Sequence, residues 1–98
     1  MPKVRHYLEV MDLRSSEMKY LVKLALRWKK SGYPRSRPLA GRQVALIFQK
    51  PSTRTRVSFQ SAVSKLGGDS FYLGWGDLQL GRGETVEDTG KVMGRYVD

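Results

Sequence analysis

The stretch that most constrains this chain is Gln43-Val44-Ala45-Leu46-Ile47-Phe48, broken at once by Lys50-Pro51-Ser52 and followed by a helical pattern. A continuous apolar run of this length suits a strand covered on both faces, as in parallel sheets. A helix is predicted from Thr53 to about Leu66, burying Val57, Phe59, Ala62, Val63 and Leu66 in some combination. Gly67-Gly68 supplies its glycine stop, and Ser70-Phe71-Tyr72-Leu73 reads as a short second strand. Strand, helix and strand joined by short links make a βαβ unit, whose crossover is right-handed in nearly all cases.

Helices flank this unit. Asp12, Ser15 or Ser16 can cap one that runs to about Lys30. Met18, Leu21, Val22, Ala25 and Trp28 recur at spacings of three and four, which makes an apolar stripe. Gly32 and Pro34 end it, and a connector rich in Pro, Ser and Arg leads to the strand. After a glycine-punctuated loop over 74–84, a third helix is expected from about Thr85, with Glu87 and Asp88 in its dipole-favoured first turn. The predicted class is α/β: part of a three-layer parallel-sheet domain, in the order helix, βαβ unit, helix. A two-strand sheet leaves an unpaired edge, and Arg95-Tyr96-Val97-Asp98 carries no turn or tail signal, so the chain reads as interrupted.

Composition narrows the chemistry. The 98 residues include no cysteine and one histidine, His6, which removes disulfides, thiolate nucleophiles and most metal sites. There is no apolar run near the ~20 residues of a membrane span and no secretory signal at the start, which points to the cytoplasm, or to the mitochondrial matrix in a eukaryote. The net charge of +9 is uneven: residues 1–42 carry eleven Lys and Arg against three acids, a net +8. A basic helix face can bind nucleic acid or an anionic surface; more often it is a solvated face, or one whose acidic partner surface is missing.

The chemistry centres on residues 48–56, Phe-Gln-Lys-Pro-Ser-Thr-Arg-Thr-Arg. They lie where a parallel strand ends and a helix begins, the place at which α/β sheets bind ligands. The first N–H groups of such a helix lack intrahelical partners and favour an anion. Ser52, Thr53 and Thr55 add hydroxyls, and Arg54 adds a fork that fits two phosphate oxygens. An N-cap serine beside two solvated arginines would read the same way, and local chemistry alone does not choose between them. Gly81-Arg82-Gly83-Glu84 lacks the lysine and spacing of a P-loop. Trp28 and Trp75 suit packing better than base stacking.

Residues 48–59, through Val57-Ser58-Phe59, resemble the carbamoyl phosphate signature of the aspartate and ornithine carbamoyltransferases. Asp77-Leu78-Gln79-Leu80-Gly81-Arg82-Gly83-Glu84-Thr85, then Asp88-Thr89 and residues 95–98, are similar to the ornithine branch. The resemblance implies that Ser52, Thr53, Arg54 and Thr55 hold the phosphate of carbamoyl phosphate, with Arg54 as the catalytic residue that stabilises charge on the leaving group. It implies that Gln79 reaches carbamoyl phosphate in the site of a neighbouring like subunit, within a homotrimer. The reaction it implies is attack of the ornithine δ-amine on the carbamoyl carbon, giving citrulline and phosphate without metal or nucleotide cofactor. Such catalysis is electrostatic and positional.

Two positions depart from the family, which usually has acids where this chain has Gln49 and Gln60. Glutamine still hydrogen-bonds, so a tolerated swap and a relaxed, non-catalytic site both remain open. Residues 1–98 correspond to the first part of the carbamoyl-phosphate-binding domain. The family's second arginine, its His-Pro-x-Gln motif and the ornithine-binding domain lie beyond the equivalent of Asp98. The 98 residues are therefore expected to be inactive alone. The alternative is a truncated, non-catalytic paralogue that uses its basic first third as a binding or structural subunit, in the extreme case with nucleic acid.

Overall fold

The computed structural model describes residues 5–78 and 83–98. Its longer elements are α1 (Ser15–Ser31), β1 (Gln43–Phe48), α2 (Thr53–Lys65), β2 (Asp69–Gly74) and α3 (Val86–Tyr96). Single 3₁₀ turns at Val10–Asp12 and Trp75–Asp77 had no counterpart in the sequence reading. The chain forms two units, Met1–Tyr33 and Pro34–Asp98.

In the first unit Asp12 does not cap α1. Its carboxylate accepts from the N–H groups of Leu8 at 2.6 Å and Glu9 at 3.1 Å, closing the 3₁₀ turn. The N-cap of α1 is Arg14, whose N–H donates to Glu17 Oε1 at 2.9 Å. The Arg5 guanidinium, then that N–H, hold the Glu17 carboxyl down at about 2. No side chain of α1 is buried, and Leu21 and Val22 of the predicted stripe stay exposed. A helix beside one short turn has too little apolar surface within its unit to cover such a stripe. At its end Trp28 packs on Tyr33, ring centroids 5.5 Å apart.

The second unit is built on a parallel β1–β2 pair, in register from Gln43 with Asp69 to Phe48 with Gly74. Because side chains alternate along a strand, Val44, Leu46 and Phe48 share a face with Ser70 and Tyr72. Against that face lies α2. Leu46 and Val63 form the small core, 7% and 6% exposed. Ala45, Ile47, Phe71 and Leu73 share the opposite face, where Ile47 and Phe71 are exposed. The expectation of a strand covered on both faces is therefore corrected. An apolar run states what each face tolerates, while the cover depends on which elements reach it.

The burial predicted for α2 falls on one part of the candidate set. Val63 is buried and Ala62 and Leu66 are half-buried, but Val57 and Phe59 are exposed. The sheet-facing stripe is Arg56, Gln60 and Val63, spaced i, i+4, i+7. Two of its three members are polar, so a search for apolar periodicity misplaces the helix's rotation.

The glycine stop is a Schellman motif. The N–H of Gly68 donates to Val63 O at 2.9 Å and that of Gly67 to Ser64 O at 3.0 Å. Gly67 has φ +94°, and a Cβ built there would lie 2.7 Å from Arg37 Cβ. Gly67→Ala is expected to cost about 1–2 kcal/mol from the left-handed backbone, with the Arg37 contact adding to it, read as a lowered urea midpoint. An unchanged midpoint would remove this motif from the account of stability.

At the start of β1, Asp69 N donates to Arg42 O at 3.0 Å, so the peptide groups of Gln43 face the edge away from β2. Asp98 occupies that edge. Its N–H donates to Gln43 O at 2.9 Å, its Oδ2 accepts from Gln43 N at 2.9 Å, and its Oδ1 takes Arg42 Nη1 at 3.1 Å. The Gln43 N–H, then the Arg42 guanidinium, depress the Asp98 carboxyl. The edge predicted to be unpaired is thus engaged at its first residue. As expected, α3 begins beyond Thr85, whose Oγ1 accepts from Asp88 N at 3.0 Å. Thr89 Oγ1 is buried without a partner among the described residues.

Candidate functional site

Between the last residue of β1 and the first of α2 stand residues 49–52, at the carboxyl end of a parallel strand. Ser52 is the N-cap, extended at φ −150°, and its carbonyl accepts the first helical bond from Arg56 N at 3.0 Å. Its hydroxyl does not cap the helix. It donates instead to Thr55 Oγ1 at 2.9 Å, and no side chain accepts from the first-turn N–H groups. Of the three α-helices, α2 alone has no acid in its first turn. Thr53, Arg54 and Thr55 therefore present unclaimed N–H groups at the positive end of a helix dipole.

Ser52, Thr53, Arg54 and Thr55, the residues singled out from sequence, are contiguous here and all exposed. Arg54 and Lys50 make no hydrogen bond or ion pair among the described residues. Within the second unit no carboxylate precedes Asp69, a stretch over 34–68 with seven Lys and Arg. The glutamines at 49 and 60 help to keep it so, and the charges the turn and helix carry themselves, Lys50, Arg54 and Arg56, are all positive. Gln79 lies outside the described residues. Trp75 is 40% exposed rather than packed.

The sequence reading missed the support beneath this turn. The Arg56 guanidinium carbon lies 3.8 Å from the centroid of the Tyr72 ring, and Arg56 Nε donates to Gln60 Oε1 at 3.2 Å. Tyr72 in turn meets Phe48 edge to face, centroids 5.5 Å apart and planes at 77°. The Arg56–Gln60 spacing was visible in the sequence. Tyr72 enters only through strand register.

Among the described residues no group of three or more His, Cys, Asp or Glu could hold a metal, and no helix is long and apolar enough to cross a membrane. What the turn can do chemically is bind an oxyanion through N–H groups, hydroxyls and one guanidinium.

Comparison with known proteins agrees with this chemistry. The family described as "Aspartate/ornithine carbamoyltransferase, carbamoyl-P binding domain" matches residues 5–98. An ornithine carbamoyltransferase of Parafrankia sp. (strain EAN1pec) is 55% identical over 97 residues, which cover 96% of this chain and 31% of the relative. A crystal structure of a mitochondrial ornithine carbamoyltransferase from Coccidioides immitis superposes with a TM-score of 0.85 at 41% identity, covering 96% of this chain and 32% of that one. The ornithine carbamoyltransferase from Pyrococcus furiosus gives 0.66 at 56% identity over 78% of this chain and 24% of that one. The chain thus spans about a third of the length of the curated relatives it matches. With a family match over nearly its whole length and an α/β structure that superposes on the solved relatives, the chain belongs to the aspartate/ornithine carbamoyltransferase family, in its carbamoyl-phosphate-binding domain.

Proposed function

We propose that this chain is the carbamoyl-phosphate-binding part of an ornithine carbamoyltransferase, and that the first turn of α2 holds the phosphate. The observation that carries the reading is the uncapped, acid-free turn, with Ser52 turned toward Thr55 and Arg54 unengaged. Thr53, Arg54 and Thr55 N–H groups, the hydroxyls and the Arg54 fork surround the phosphate oxygens. The family membership supports carbamoyl phosphate over other anions.

In this reading Arg54 offsets charge as the carbamoyl carbon–phosphate oxygen bond breaks under attack by the ornithine amine. The helix N–H groups are fixed before the reaction, so they favour the more charged transition state over the ground state. Gln79 completes the site of a neighbouring copy in a homotrimer. The second substrate is held by residues outside these 98, so the chain alone binds carbamoyl phosphate without turning it over.

The test is a titration of the purified chain with carbamoyl phosphate, followed by amide NMR, with a citrulline assay in parallel. Shifts centred on residues 53–55 and no citrulline above background are expected. Shifts elsewhere would move the site, and citrulline formation would show that these residues suffice.

A further inference from the structure

Arg54 and Arg56 sit two positions apart on α2, about 200° around the helix, and they do different things. Arg54 is unengaged. Arg56 is held on three sides by its own surroundings: the Tyr72 ring face 3.8 Å away, the Gln60 amide oxygen at 3.2 Å, and its own helix. Tyr72 is itself braced edge-on by Phe48, the last residue of β1. Phe48 lies four residues before Ser52 in the chain, and Tyr72 pairs in register with Leu46. One stack, Phe48–Tyr72–Arg56, thus spans the strand end, the neighbouring strand and the first turns of α2. Val63 anchors the far half of the helix. Among the described residues, this stack is the one ring or side-chain hydrogen-bond contact that joins the near half of α2 to the sheet.

We infer that Arg56 is a positioning residue for the anion-binding turn, held by the aromatic face of Tyr72, and that this face rather than the Tyr72 hydroxyl sets phosphate affinity. The inference rests on the reading that the turn binds phosphate. An arginine on a ring face keeps its charge, because the ring supplies negative quadrupole without a carboxylate. Gln60 likewise accepts from Nε without neutralising it. The site therefore gains a fixed helix start and a nearby cation together, where a carboxylate partner would supply the first and cancel the second. The Tyr72 hydroxyl makes no hydrogen bond among the described residues, so it has no part in this arrangement.

The experiment measures inorganic phosphate and carbamoyl phosphate affinity from the amides of residues 53–55 in the whole chain. Tyr72→Phe keeps the ring and is expected to stay within about twofold of the parent, while Tyr72→Leu weakens binding about threefold to tenfold. Arg56→Gln, at an exposed helix position, should weaken binding comparably without unfolding the chain. In the Arg56→Gln background Tyr72→Leu should add no further loss, because both act through one contact. A Tyr72→Leu loss of the same size in that background would assign Tyr72 a general packing role and overturn the inference. Unchanged affinity in Arg56→Gln would overturn it too, and serves if Tyr72→Leu fails to fold. A parent chain that binds no phosphate would remove the functional reading along with the inference. A parent that binds, loses affinity with Arg54→Ala and ignores both Tyr72→Leu and Arg56→Gln would remove the inference alone.

Discussion

Replacing Arg54 by alanine is expected to weaken phosphate or carbamoyl phosphate binding by about 1.5–3 kcal/mol, roughly ten- to hundredfold. A guanidinium engaged elsewhere would have to abandon one partner for another, and the net change would be small. Arg54 has no partner among the described residues, so its hydrogen bonds to the anion come at little cost elsewhere in the protein. Arg54→Lys should fall between, because an ammonium keeps the charge and loses the two-pronged fit. Calorimetry at two salt concentrations checks both points, since an exposed charge contact is screened as ionic strength rises. Equal affinities for the parent and Arg54→Ala would refute the assignment of the site.

The second large effect concerns the core. Leu46→Ala is expected to cost about 2–4 kcal/mol, the range for emptying a buried leucine position. Leu46 and Val63 are the two buried apolar residues among those described, and no side chain falls below 2% exposure. Against a total stability of about 5–15 kcal/mol for a chain of this size, that loss takes up much of the margin. Ile47→Ala is the matched control. It sits one residue along the same strand, on the other face and 39% exposed, and should cost less than about 1.5 kcal/mol. Urea midpoints for the pair read out the difference directly. Equal losses would mean that the two faces of β1 are covered alike.

Much of this was legible in the letters. The strand Gln43–Phe48, the glycine stop at Gly67-Gly68 and the helix starts near Thr53 and Thr85 were found at or within a residue of their places. Each depends on neighbours close in sequence: an apolar run, a glycine pair, a break in a strand, acids in a first turn. The errors share a different origin. Asp12, Ser15 and Ser16 were the alternatives for the α1 cap, yet the cap is Arg14 and the Asp12 carboxylate turned back to Leu8 and Glu9. Val57 and Phe59 stood among the candidates for burial because they are apolar, yet α2 presents Arg56 and Gln60 to the sheet.

By itself, the sequence determined the order of elements, the strand-to-helix junction and the residue types gathered there. These follow from local periodicity and from chemistry confined to a few consecutive residues. Only the tertiary structure decided that Ser52 turns its hydroxyl from the helix to Thr55, that Tyr72 lies under Arg56, and that Asp98 closes on Gln43. The first is a rotamer choice within one turn; the other two depend on strand register or on the rotation of a helix about its axis. Such quantities are set by packing between segments distant in the chain, where the gain from burying a π face or pairing an edge outweighs what each segment would prefer alone.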